Sequence, residues 1–396
     1  MNLRLAKRVQ LIKPSPTLTI TARAAALKAT GKDIIGLGAG EPDFDTPDYI
    51  KQAAIKAIQE GFTKYTAVDG TPGLKKAIVN KFRRENGLEY TSDQILVSAG
   101  GKQSFYNLAQ ALLNAGDEVI IPAPYWVSYP DMVLLAEAEP VIIHAGIEQR
   151  FKITPRQLEA AVTSKTRLLV MNSPSNPTGA IYSHDELAAL GEVLRDYPHV
   201  LIASDDIYEH ILLGDAPFCN ILNVCPDLYD RTVVINGVSK SFSMTGWRIG
   251  YAAGPKPLIE AMKNIQSQST SNPASISQAA AQMALEGDQS FMKDWVRQFK
   301  ERHEFVVKEL NRMNGVQCLP SPGAFYSFPK MQGVIDEIPG IKDDVALAEY
   351  ILNETGVALV PGSAFGAPGY MRLSFATSME NLREAMTRMQ KLLGVI

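Results

Sequence analysis

Short apolar, β-branched runs recur along this chain between longer amphipathic stretches. The runs at 95–98, 118–122, 140–144, 167–171, 200–204, 232–235 and 249–253 carry few charges, which predicts buried strands. Helical periodicity covers 47–60, the stretch from Pro72 through Arg84, 184–195, 257–268, 274–286 and 291–313. Strands without a polar face, alternating with helices, predict a mostly parallel sheet flanked by helices.

The pattern changes in the last third. A turn and strand fall within 318–329, a helix at 345–354 has Asp344 placed to cap its start, and strands follow at 357–360 and 371–376. Near the start, residues 1–16 read as an arm, since Pro14 and Pro16 bracket Ser15 and exclude a helix interior there; a helix over 17–30 stops at Gly31. The expected fold is α/β with a large domain over 47–284 and a smaller α/β domain over 285–396. Residues 1–46 supply the arm and the first part of the smaller domain.

Composition narrows the function classes. A chain of 396 residues with 46% apolar and 20% charged residues is an ordinary globular protein, and a net charge of −3 favours neither nucleic acid nor a membrane surface as partner. Cys219, Cys225 and Cys318 lack metal-ligand spacing, so no metal is expected and the thiols read as reduced. No apolar run approaches membrane-spanning length, and the basic N-terminus lacks the apolar core of a secretory signal. A cytoplasmic location is expected.

The candidate chemistry centres on residues 236–251, NGVSKSFSMTGWRIGY. After a buried strand comes a loop of small residues with Ser239 and Lys240, which Phe242, Met244 and Trp247 are expected to crowd with apolar bulk. A lysine in a partly dry loop can lose its proton and act as an amine nucleophile. Arg248 can fork onto a phosphate. Lysine, hydroxyl and arginine together suit pyridoxal 5'-phosphate, a phosphorylated aldehyde, held as a Schiff base. Gly100, Gly101 and Lys102 lie between a strand and a helix, a pattern that places free N–H groups against an anion and fits many phosphate ligands. The dinucleotide fingerprint GxGxxG is absent. Asp205 ends a strand, where a carboxylate can keep a cofactor ring nitrogen protonated; Tyr208 can reach the phenolic oxygen; Asp206 is expected to face elsewhere. Arg372, alone among apolar strand residues, calls for an anionic partner, either a structural carboxylate or a ligand.

SKSFSMTGWRIGY resembles the lysine motif of the class I aminotransferases, in the aspartate aminotransferase family of fold type I, and the likeness runs from VQLIKPSPT to MRLSFATS. It implies a pyridoxal phosphate enzyme that transfers an amino group between an amino acid and a 2-oxo acid, most like aspartate with 2-oxoglutarate. Lys240 would carry the cofactor and move the substrate's α-proton, with Asp205 at the ring nitrogen. Trp126 of APYWVSYP would stack on the ring. Asn176 of the NPTG segment would donate to the phenolic oxygen, Gly40 of GEPDF would lie beside the substrate carboxylate, and Arg372 would grip that carboxylate. Tyr65 would reach the cofactor phosphate of a neighbouring subunit, which implies a homodimer with shared sites. Arg372 in the smaller domain and Lys240 in the large one imply closure around the substrate.

Two departures bear on substrate choice. One aspartate subgroup reads the side-chain carboxylate with an arginine that has no counterpart in residues 263–291; the sequence is closer to a subgroup with the GGK pattern, where Lys102 could serve. Gly237 also stands where that first subgroup has a phosphate-binding hydroxyl. Prephenate, aromatic and alanine-type aminotransferases stay open, as does a pyridoxal phosphate-dependent lyase on the same fold. A non-catalytic ligand-binding module would need an added DNA-binding domain, for which the segment before Pro14 is too short.

Overall fold

The structure is a computed structural model that describes residues 3–12 and 16–395. Its strands, in chain order, are β1 (Ile35–Gly36), β2 (Ile95–Ser98), β3 (Glu118–Ala123), β4 (Glu139–His144), β5 (Thr166–Asn172), β6 (Leu201–Asp205), β7 (Thr232–Gly237), β8 (Gly250–Ala253), β9 (Tyr326–Ser327), β10 (Val357–Ala358), β11 (Val360–Pro361) and β12 (Met371–Ser374). Seven of them make the central sheet in the order β2-β8-β7-β6-β5-β3-β4. Alternate residues of each strand enter different cores: Val97, Ile120, Leu169, Ile202 and Val234 pack on one side, and Leu96, Val119, Leu168, Ala203 and Val233 on the other. Both faces are therefore dry, which is why the strands read as unbroken apolar runs. Each fully buried Val, Leu or Ile contributes on the order of 1.5–3 kcal/mol.

One strand breaks the parallel order. β8 runs antiparallel to both of its neighbours, β2 and β7, while the other pairs are parallel. The reversal has a functional consequence. Residues just before β8 lie at the same sheet edge as residues just after β2, β5, β6 and β7, so Arg248 reaches the edge that carries Ser98, Asn172, Asp205 and Gly237. A parallel strand would have put Arg248 at the opposite edge.

A second core lies outside this sheet. Leu37, Phe299, Phe325, Leu347, Leu373 and Met386 belong to it, under the three-stranded antiparallel sheet β11-β12-β9. β1 pairs in parallel with β10, Ile35 opposite Val357, so the chain after the helix Pro16–Ala29 folds back onto the last third.

Several local expectations change. The run 357–360 is two strands: β10 pairs with β1 and β11 with β12. Asp343, not Asp344, caps the helix Asp344–Thr355 by accepting from the Ala346 N–H at 2.8 Å. Asp344 is buried, and its carboxylate takes the Ser363 N–H and hydroxyl instead. Within the expected arm, Lys7–Leu11 form one helical turn, and Pro16 opens the helix Pro16–Ala29, where its missing N–H costs nothing. Pro14 and Ser15 lie outside the described residues. The helix that starts at Pro72 turns into a wider π-helix over Phe82–Asn86 and stops at Gly87, whose φ is 64°. The C-terminal helix Met379–Leu393 was not anticipated. Among the described residues no helix is long and apolar enough to cross a membrane.

Candidate active site

A cavity of about 290 Å³ opens at the edge of the central sheet. Gly40, Gly101, Lys102, Trp126, Asn176, Asp205, Tyr208, Ser239, Lys240, Arg248 and Arg372 all line it. Eleven positions singled out from sequence thus meet in one space, although they span more than 330 residues. Tyr65 does not join them. Its side chain is 92% exposed on its own chain.

The sheet edge is built from glycine where backbones must touch. Gly250 pairs with Ser98 on one side and Gly237 on the other. A Cβ on Gly250 would lie 2.2 Å from the Gly101 nitrogen, and one on Gly237 would lie 2.9 Å from the Gly250 Cα. There is no room for a hydroxyl-bearing residue at 237. Gly100 (φ 92°) lets the chain turn from β2 into the helix Gly101–Leu112. The Arg248 guanidinium fills the space a Gly100 side chain would take, donating to the Ala99 carbonyl at 3.0 Å and the Thr245 carbonyl at 2.8 Å. An exposed arginine beside a helix N-terminus suits a phosphate.

Lys240 follows β7 and donates to the Gly40 carbonyl. Burial pushes its pKa down to about 8; Arg372 and Arg248 add to this, while Glu41 and Asp205 oppose it. Phe242, Met244 and Trp247, expected to crowd it, do not line the cavity. Phe242 and Met244 turn into the core behind the sheet, and the Trp247 indole N–H donates to Thr46 Oγ1 at 3.0 Å. The nearest aromatic face to the ammonium is Tyr208, 6.0 Å away.

Asp205 ends β6 and is buried, accepting from the Tyr129 hydroxyl and from the Ile207 N–H at 3.3 Å. Burial raises its pKa to about 6. With no cation bonded to it among the described residues, this carboxylate favours a partner that brings a proton. Asp206 turns away, as expected, to Ser204 and Asn220. Asn172 fixes the loop after β5: its side-chain NH₂ donates to the Asp205 carbonyl at 2.9 Å and its oxygen accepts from the Asn176 N–H at 2.8 Å.

Arg372 enters from β12 and is 2% exposed. It donates to Asn176 Oδ1 at 2.9 Å and to the Gly38 carbonyl at 2.6 Å, and its Nε has no partner among the described residues. It makes no ion pair among the described residues, and the Tyr326 ring lies 4.6 Å from its guanidinium carbon. A buried cation left this way calls for an anion from outside. Lys102 places its ammonium 5.1 Å from the Trp126 ring, and burial lowers its pKa, with Arg248 adding to the effect.

Comparisons with known proteins agree with this chemistry. The profile of the family "Aminotransferase class I and II" matches residues 32–389. The chain belongs to this family. It is 62% identical to the aspartate/prephenate aminotransferase of Nitrosomonas europaea, covering 99% of this chain and 100% of that one. With the enzyme of the same name from Cereibacter sphaeroides the identity is 57%, over 96% of each. Among solved structures, the aspartate aminotransferase of Rhizobium meliloti superposes with a TM-score of 0.94 at 50% identity, over 98% of each chain. That of Thermus thermophilus, solved with maleate, gives 0.92 at 42%, over 99% of this chain and 100% of the other.

The aminotransferase site also holds residues that sequence reasoning passed over. Tyr129, in the first turn of the helix Ser128–Leu135, packs edge-on to the Trp126 ring at 5.2 Å and reaches Asp205; nothing in the sequence marked it. Tyr326 on β9 pairs with Ser374, which puts it diagonal to Arg372 on a neighbouring strand. Strand pairing is not visible in the sequence, so nothing there marked Tyr326.

Proposed function

We propose that this aminotransferase transfers the amino group of L-aspartate to 2-oxoglutarate, giving oxaloacetate and L-glutamate, with pyridoxal 5'-phosphate as cofactor. The observation that supports this most is a single cavity faced by a half-buried amine of lowered pKa, Lys240, and by a buried guanidinium, Arg372, that makes no ion pair among the described residues. The residues fit the cofactor. Gly100, Gly101, Lys102, Ser239 and Arg248 would hold its phosphate, joined by Tyr65 of a second copy. Trp126 would stack on its ring, Asn176 and Tyr208 would donate to its phenolic oxygen, and Asp205 would meet its ring nitrogen.

When bound, the cofactor supplies an aldehyde that takes up an amino group and a ring that draws electrons from the α-carbon. Lys240 would be the residue that anchors the cofactor through its aldehyde, and its free amine would be placed to move the proton at the substrate α-carbon. Asp205 would face the ring nitrogen; burial disfavours its anion unless a cation lies beside it, and a protonated ring nitrogen would supply one. Arg372 clamps the α-carboxylate, Gly40 leaves room beside it, and Lys102 faces an acidic side chain. Closure of 285–396, with 1–46 folded onto it, over 47–284 would exclude water from these groups.

Adding aspartate to the cofactor-loaded protein should convert its visible absorption, and adding 2-oxoglutarate should restore it. Lys240→Ala should lose both responses; a full response in that variant would contradict the assignment. Prephenate is a second acceptor to measure, because relatives at 57–62% identity carry aspartate/prephenate names. The exposed Tyr65 supports a homodimer with shared sites. Mixed Tyr65→Ala and Lys240→Ala chains should then recover part of the activity, and a fully active monomer in sedimentation would refute sharing.

A further inference from the structure

Tyr326 is fully buried in the cavity wall and touches two site groups through two different parts of its side chain. The Arg372 guanidinium lies over its ring, 4.6 Å from the centroid. Its hydroxyl is 2.9 Å from that of Tyr208. Gly40 makes room for this hydroxyl, since a Cβ there would sit 3.0 Å from it. A tyrosine present only for packing has no reason to aim its oxygen at another cavity hydroxyl. Burial holds both phenols well on the protonated side, so each has one proton to give.

We propose that Tyr326 is a positioning residue with two separable functions: its ring seats Arg372 for the substrate carboxylate, and its hydroxyl directs the Tyr208 proton to the cofactor's phenolic oxygen. This rests on the cofactor reading. Tyr208 can donate only one proton. If that proton serves the cofactor, the hydrogen bond between the two hydroxyls must run from Tyr326 to Tyr208. Accepting that bond makes Tyr208 the stronger donor, because hydrogen bonds in a chain polarise one another. The ring acts independently, as a face that holds a desolvated guanidinium without hydrogen-bonding it. The charges around the pair are Arg372 on β12, Asp205 at the end of β6, Lys240, and Glu41 in the segment after β1, and a change of one hydroxyl leaves all four in place.

The test uses cofactor-loaded parent, Tyr326→Phe and Tyr326→Leu proteins. Two readouts are taken: the pH midpoint of the visible cofactor band, and the dissociation constant of maleate, an unreactive dicarboxylate. Tyr326→Phe should raise the midpoint by about half a unit, roughly threefold in proton affinity, because the phenolic anion loses part of its support. Its maleate affinity should stay within about twofold of the parent, since the ring remains. Tyr326→Leu should show the same midpoint rise and also bind maleate about tenfold more weakly. An unmoved midpoint in Tyr326→Phe, or equal maleate losses in both variants, would overturn the proposal. A parent protein without any pH-dependent band would instead contradict the cofactor reading, and the hydroxyl function with it. The maleate comparison would still decide the ring.

Discussion

Arg372 donates to Asn176 Oδ1 at 2.9 Å, and this hydrogen bond joins β12 of the smaller core to the loop after β5 of the central sheet. The two residues are 196 positions apart in sequence. The proposed carboxylate clamp is thus held by an amide that lines the same cavity, so the groups assigned to substrate and cofactor would share one support.

Arg372→Leu is expected to lower kcat/KM for aspartate, alanine and aromatic donors alike. Removing one partner of a buried charge pair costs about 2–5 kcal/mol, or roughly 30-fold to several thousand-fold. A loss confined to acidic donors would place Arg372 at the side chain instead of the α-carboxylate.

Lys240 gives a pH signature to cofactor capture. Only the neutral amine attacks an aldehyde, and burial sets the Lys240 pKa at about 8 in place of 10.5. The rate at which cofactor-free protein binds pyridoxal phosphate covalently should therefore rise about tenfold per pH unit up to about 8 and then level. Stability follows the same group. Between about 8 and 10.5 the unfolded lysine binds a proton that the folded one does not, so cofactor-free protein should gain stability as pH rises through that window. Lys240→Met should remove that gain. A capture rate still rising at pH 10 would show an unperturbed amine.

Part of this candidate site was legible in the sequence because several of its residues end or directly follow apolar runs. Asp205 closes β6, Gly100 follows β2, and Lys240 follows β7, so the strand pattern and the sheet-edge rule place them together. What stayed hidden depended on pairing. The reversed direction of β8, which delivers Arg248, leaves no mark in its own residues. The same holds for the pairing of β9 with β12 that sets Tyr326 beside Arg372. The expected crowding of Lys240 by Phe242 and Met244 failed because those side chains point behind the sheet into its core. Asp343 and Asp344 could each cap a helix by sequence; the choice was settled by Ser363, which binds the Asp344 carboxylate from a distant segment.

Lys81 and Glu209 form a buried ion pair beneath the site, with Asn86 and Asn236 each donating to Glu209 at 2.7 Å. Glu209 follows Tyr208 directly, so the pair fixes the chain at a cavity residue. Lys81→Met would leave a buried carboxylate without its cation and should lower unfolding free energy by about 3–5 kcal/mol in a denaturant titration. A loss below about 1 kcal/mol would mean that the two amides suffice.

Lys102 lies beside Trp126 with its ammonium at the cavity wall. Lys102→Ala is expected to reduce kcat/KM for aspartate and glutamate by about 10- to 150-fold, the value of one charge-assisted hydrogen bond, while alanine and aromatic donors change little. Equal losses for all donors would assign the residue to the phosphate loop alone.

The central claim is that nitrogen moves from one acid to another on this chain. Incubating the cofactor-loaded protein with ¹⁵N-aspartate and 2-oxoglutarate, then weighing the products, tests it most directly. The account predicts ¹⁵N-glutamate and oxaloacetate in equal amounts, with no product when 2-oxoglutarate is withheld beyond one turnover per site. Free ¹⁵N-ammonia, released with or without the oxo acid, would contradict it and make the protein a lyase.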